Sequence, residues 1–336
     1  MSDELALWVW LSLALGPAST VPSRLLHEFG SIKAVYGASE EEYDSVCKIS
    51  KKSIIRLCDK NLENAQAVVA WCEEHKVGIL TPVDIRYPDR LRVIKAAPIV
   101  LYYIGTIPDF DGKLCISSVG TRNISEYGRI NAYKISYEFA KSGAVIVSGL
   151  AAGIDSVCHR GALDALGKTV AVLGCGIDHV YPKFNRALMK EIARKGLLIS
   201  EYPSGTKPIG KNFPLRNRII SGLCQATVVY EADRASGSLI TARYAREEGR
   251  KLYALPGMVG ELNSLGTNDL IRSGAKMIVS ADDLLSDYEE YLERKPSEKI
   301  KSPNNIKNKE KRIMLVDRRV WRGSKISGGI CATCCG

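Results

Sequence analysis

The hydrophobic pattern changes character twice along the chain. Residues 1 to about 75 read as short amphipathic helices punctuated by Gly, Ser and Pro, as in "LSLALGPASTVPSRLLHEFGSIKAVYGASEEEYDSV". From about residue 98 short β-branched apolar runs take over: "PIVLYYIG", "KLCISSVG", "AVIVSG", "TVAVLG", "LLISEY", "ATVVYEA", "KLYALPG" and "AKMIVS". Amphipathic segments such as "GRINAYKISYEFAKSG" and "NRALMKEIARKG" lie between them and end at Gly. Strands that are nearly continuous apolar runs, alternating with helices, predict an α/β fold whose parallel sheet is covered on both faces. Past residue 286 the chain turns to "ERKPSEKIKSPNNIKNKEKR", rich in Lys with Pro and Asn, and 286–336 is expected to be a disordered basic tail.

These patterns divide the chain into an all-α helix-hairpin-helix or SAM-like domain over 1–75 and an extended Rossmann-like domain over 76–285. Such helical modules either touch a DNA backbone through hairpin amides or serve as packing domains. The formal net charge of +10 suggests a polyanion-binding protein, yet nine of those charges fall beyond residue 293, where twelve Lys or Arg face three acids. A polyanion site in the remainder must therefore be local. No apolar run approaches the roughly 20 residues that span a bilayer. The N-terminal "LALWVWLSLALG" follows Asp3 and Glu4 and reads as a core helix, not a signal peptide, so a cytoplasmic location without membrane contact is expected. Cys47, Cys58, Cys72, Cys115, Cys158, Cys175 and Cys224 are scattered without metal-ligand spacing, and the Cys331–Cys334 CxxC has no second pair, so neither metal nor cofactor is expected.

The candidate chemistry sits where strands end. "VGTRNIS" places Thr121 and Arg122 at a turn that opens a helix, where free amides favour an anion. "SGLAAGID" supplies Gly149 and Gly153 for close backbone approach and Asp155 to cap the next helix. "LGCGIDHVYP" is a GxG without the acidic ribose ligand of a dinucleotide site. "SEYPSGTKPIGKNFPLRNRIISG" then crowds Arg216, Asn217 and Arg218 near a helix start that also carries Phe213, with Lys207 and Lys211 just upstream. The guanidinium groups and helix amides can converge on phosphate, and the Phe213 ring offers a face for a nucleobase. The alternatives are salt bridges from the arginines to Glu201 or Glu231, and a packing role for Phe213 under the helix. "EADRASGSLITARYA" adds Ser236, Gly237, Ser238 and Thr241 as a further anion nest. His159, within a helix pattern, and His179, beside a turn, read as structural.

In order and spacing, "VGTR", "SGLAAGID", "GIDHVYP", "SEYPSGTKP", "FPLRNRIISGL", "EADRASGSLITA" and "GTNDLI" resemble the DNA-processing protein A family (DprA, also called Smf), over about residues 5–285. The resemblance implies a non-catalytic homodimer that binds single-stranded DNA and loads RecA recombinase onto it during natural transformation. It places Arg122, Phe213, Arg216, Arg218 and the Ser236–Ser238 nest in the DNA pocket. The chain departs from the pattern at Ala152, often basic in the family, and in "MLVDRRVWRGSKISGGICATCCG", which lacks the two-helix-plus-hairpin pattern of the winged-helix-like end of many members. Two other functions fit a Rossmann-like fold. A phosphoribohydrolase-like enzyme needs a Glu beside its glycines, where "GTNDL" continues with Asn268, Asp269 and Leu270. A partner-binding scaffold would hold no nucleic acid.

Overall fold

The amphipathic N-terminal segments form six helices: α1 (Ser2–Leu15), α2 (Val21–Phe29), α3 (Ile32–Gly37), α4 (Glu40–Ser45), α5 (Lys51–Cys58) and α6 (Glu63–Glu74). In this computed structural model residues 2–46 and 48–292 are described; Cys47, the Cys331–Cys334 pair and nearly all of the predicted tail lie outside them. α1 is apolar on nearly all sides, and α2, α3, α5 and α6 accordingly pack around it. Ser39 and Glu42 close α4 with a capping box.

Nine strands follow among the described residues: β1 (Gly78–Leu80), β2 (Leu101–Gly105), β3 (Cys115–Val119), β4 (Val145–Ser148), β5 (Lys168–Leu173), β6 (Leu197–Ser200), β7 (Ala226–Val229), β8 (Lys251–Ala254) and β9 (Lys276–Met277). They make one sheet in the order β1-β2-β6-β5-β4-β3-β7-β8-β9. Pairings from β6 through to β9 are parallel, and β2 joins β6 and β1 antiparallel. The connecting helices are α7 (Asp89–Arg92), α8 (Glu126–Lys141), α9 (Ile154–Asp164), α10 (Arg186–Lys195), α11 (Asn212–Gly222), α12 (Ser238–Glu247) and α13 (Leu262–Arg272), with α14 (Asp282–Leu285) and α15 (Glu289–Leu292) after the last strand.

Both faces are covered, which is why the strands read as unbroken apolar runs. Val170 and Val172 of β5 face a core shared with Ile219 and Ile220 of α11 and with Leu223 just past it. Their neighbours Ala171 and Leu173 point the other way, into a core shared with Trp8, Leu11 and Val69 of the N-terminal helices. Farther along that second face, α8 and α9 pack Phe139, Ile154 and Ala162 against Ile116, Ile146 and Val228. The chain steps outward from β3 to β6, and α11 carries it back to β7 on the far side of β3. The carboxyl ends of β3 and β7 therefore form a topological switch point, the place where such sheets bind ligands.

Candidate nucleic-acid interface

The loop after β3 is pinned to the end of β7. Thr121 donates its amide to the Glu231 carbonyl at 2.7 Å and accepts the Ile154 amide at 3.2 Å. Ser125, the N-cap of α8, donates both its amide, at 3.0 Å, and its hydroxyl to the Glu231 carboxylate. Glu231 is thus committed to this loop and pairs with neither arginine of α11. Gly153 has a φ of 76°, and a Cβ there would lie 2.3 Å from the Thr121 carbonyl oxygen, so only glycine allows the two loops to touch. Arg122 projects from the pinned loop into solvent.

The loop after β4 is held differently from the expectation. Asp155 is not the cap of α9; that position is Gly153, without a side-chain bond. Its buried carboxylate instead accepts the Gly149 and Ala151 amides, at 3.1 and 3.3 Å, and so braces the loop that precedes its own helix. Leu150, buried at a φ of 57°, is kept in that left-handed conformation by Asn185, whose amide donates to the Leu150 carbonyl at 3.0 Å.

Arg216 is buried beneath this loop, only 3% exposed, and donates to the carbonyls of Gly149, at 2.9 Å, and Val172. It ties the ends of β4 and β5 together. Burial lowers its guanidinium to about 10, against the opposing pull of Asp155, so it stays charged at neutral pH. Burial raises the Asp155 carboxyl, and nearby Arg216 offsets part of that rise. His159 is fully buried in α9, with Nδ1 2.7 Å from the Thr169 hydroxyl. Since that hydroxyl donates to Ile146, the imidazole donates through Nδ1 and is neutral; burial, then Arg216, lowers it to about 3.

Arg218 faces away from the site. Its Nη2 lies 2.5 Å from Glu201 Oε1 and its Nε donates to the Ala96 carbonyl, with the pair's side chains 4% and 7% exposed. Glu201 also accepts the Ala18 amide from the α1–α2 hairpin at 3.3 Å. Of the two alternatives for this arginine, the geometry realises the salt bridge. The hairpin amide is likewise spent on packing.

What the loops bring together is a shallow notch of about 50 Å³, lined among others by Arg122, Gly149, Ala152, Gly174, Tyr181 and Phe213. The Phe213 ring is flanked by Tyr181, centroids 5.2 Å apart, and by the Arg122 guanidinium at 5.4 Å, with Arg216 at 6.0 Å from below. Gly174 lets the ring lie flat: a Cβ there would stand 2.7 Å from Phe213 Cδ1. Ala152 lines the notch where the resemblance led one to look for a cation.

None of the other candidates is among the residues that line the notch. Lys207 and Lys211 are exposed and form no ion pair among the described residues. Asn217 donates to the Gly237 carbonyl at 3.3 Å, linking α11 to the start of α12. There the Ser236 and Ser238 hydroxyls bond to each other at 2.8 Å, and Thr241 is buried with an unpartnered hydroxyl. Sequence reasoning missed Tyr181 and Asn185. Both lie in or just past the quoted "GIDHVYP", whose aromatic-proline pair at a strand end was the available signal.

Comparison with known proteins points in one direction. The family model described as DNA recombination-mediator protein A matches residues 78–289. Protein Smf of Synechocystis sp. is 39% identical over 293 residues, which cover 85% of this chain and 73% of that protein. DNA processing protein DprA of Streptococcus pneumoniae is 42% identical over 217 residues, 65% of this chain and 76% of that one. The crystal structure of the S. pneumoniae protein superposes with a TM-score of 0.72 at 33% identity, covering 83% and 95% of the two chains. DNA processing protein A of Helicobacter pylori, a protein described by its single-stranded DNA binding mode, gives 0.58 at 32% identity over 64% and 96%.

Proposed function

We propose, from the premise that this chain belongs to the DNA recombination-mediator protein A family, that it binds single-stranded DNA at the notch and loads RecA recombinase onto it. The observation that carries the DNA reading is the Phe213 ring, set beyond the carboxyl ends of β4 and β5 between Tyr181 and the exposed Arg122. An unstacked base finds an aromatic platform there, and flanking phosphates find Arg122, Lys207 and Lys211. In this reading Arg216 shapes the floor of the site and does not itself touch DNA. RecA loading, a homodimeric state and action in the cytoplasm during DNA uptake extend the family relationship. No helix among the described residues is long and apolar enough to cross a membrane.

The reading is of a binding protein without turnover. Where a phosphoribohydrolase would place its Glu, α13 carries Leu270, and two residues earlier Asn268 clamps Gly257 with two hydrogen bonds, at 3.0 and 3.2 Å. The test is fluorescence anisotropy of a labelled single-stranded oligonucleotide across a salt series, followed by RecA filament nucleation on the same strand. Salt-sensitive binding lost in Arg122→Ala/Phe213→Ala supports the DNA site, and faster nucleation with the wild-type protein supports loading. Binding that the double substitution leaves intact would remove the notch from the account.

A further inference from the structure

Phe184 is 72% exposed, more than any other aromatic side chain among the described residues. An aromatic ring left in water needs a reason, and local looseness does not supply it. The next residue, Asn185, is 6% exposed and donates to the Leu150 carbonyl at 3.0 Å and the Ser156 hydroxyl at 2.8 Å. Its amide also bonds the Pro182 carbonyl at 3.0 Å. The turn that presents Phe184 is therefore anchored to the same loop that walls the notch.

Three cations surround the ring in sequence and on the helix. Lys183 precedes it, and Arg186 and Lys190 lie four apart on one face of α10, opposite the buried Leu188, Met189 and Ile192. All three are exposed, and none forms an ion pair among the described residues. Glu191, the acid nearest in sequence, is taken by Arg160 at 2.8 Å and Lys195 at 2.7 Å. Nor does helix stability account for them: Lys183 and Arg186 stand at the positive end of α10, where a cation opposes the helix dipole. The cluster adjoins the notch directly, because Tyr181 and Pro182 line the one and Lys183 and Phe184 begin the other.

We infer that Lys183, Phe184, Arg186 and Lys190 form a second contact for single-stranded nucleic acid, continuing the track that starts at Phe213. One base stacks on Phe184 and the neighbouring phosphates lie along the three cations. An exposed ring suits an unstrung base; a duplex hides its base faces and would engage only the cations. This inference rests on the notch reading, and the test separates the two.

The full chain is titrated with single strands of increasing length and with a blunt duplex, comparing wild type, Phe184→Ala, Lys183→Ala/Arg186→Ala/Lys190→Ala and Arg122→Ala/Phe213→Ala. Phe184→Ala is expected to weaken binding of long single strands about tenfold while sparing the shortest strand that still binds. The triple variant is expected to reduce the slope of log affinity against log salt by about 2. Thermal midpoints should not move, since all four side chains are exposed. Strip variants that match wild type at every length, while the notch variant loses binding, would overturn this inference and leave the notch standing. A Phe184→Ala variant that loses binding of the duplex as much as of the single strand would also overturn it. Loss of binding in the strip variants with none in the notch variant would uphold the strip and refute the notch.

Discussion

The two arginines of "FPLRNR" provide a quantitative test of the division between structural and DNA-contacting groups. Replacing Arg218 with Met leaves the Glu201 carboxylate buried, with one oxygen held only by the Ala18 amide at 3.3 Å and the other without a partner. Breaking a buried pair by removing one member costs about 3–5 kcal/mol, because an uncompensated charge stays behind. For a chain of this size each kcal/mol lowers the melting temperature by roughly 2 °C, so Arg218→Met should melt about 6–10 °C below wild type. Replacing both partners, Glu201→Leu with Arg218→Met, should restore most of that loss, since apolar groups of similar volume are often neutral substitutes for a buried pair. Differential scanning fluorimetry and urea unfolding of wild type, Arg218→Met, Glu201→Leu and the double variant measure the cycle, and anisotropy measures DNA affinity alongside. The double variant should bind single-stranded DNA within about twofold of wild type. A single variant that keeps its melting temperature but loses tenfold in affinity and part of its salt dependence would refute the argument and make Arg218 a phosphate ligand.

Other substitutions probe the site and the fold separately. Gly174→Ala forces a methyl onto Phe213 and should cut DNA affinity roughly as much as Phe213→Ala, about fivefold or more from lost stacking, while the rest of the sheet edge stays folded by circular dichroism. Full affinity in Gly174→Ala would show that the ring's position is unimportant. Glu248 is half-buried against the Ser221 hydroxyl at 2.9 Å, and burial raises its carboxyl from 4.5 to about 7. The unfolded chain releases this proton near pH 4.5 and the folded chain only near 7, so between those values the native state binds more protons and its stability falls as pH rises. Glu248→Gln should abolish that decline, roughly 2 kcal/mol after allowance for partial exposure, in urea midpoints at pH 5 and pH 8. Parallel profiles for the two proteins would contradict the assignment.

Much of the sheet was legible because burial on both faces leaves a one-dimensional trace. Val145, Ile146 and Val147 of β4 are all buried, and no polar residue interrupts the run to mark an exposed face. The direction of β2 was not legible: "VLYYIG" looks like the parallel strands, and only its pairing with Gly78–Leu80 and Leu197–Ser200 shows it to be antiparallel. β1 is three residues long, too short for any period to show. At the site, sequence located the loops but not the side chains' directions. Arg216 and Arg218 are two apart on a helix and so diverge by about half a turn. Their partners, Gly149 and Val172 for one and Glu201 and Ala96 for the other, lie up to 122 residues away and give no local signal. Arg122 was recognisable because a strand-end turn is local chemistry, whereas Tyr181 joins Phe213 only through the fold.

DNA is predicted to lie on the notch of the folded domain and not merely on the basic segment beyond residue 293. Photocross-linking of the full chain to a single strand carrying bromodeoxyuridine, with the attached peptides identified by mass spectrometry, tests it most directly. Cross-links in the peptides that contain Tyr181 and Phe213, lost when both are changed to Ala, are predicted. Cross-links found only within residues 294–336 would contradict the account.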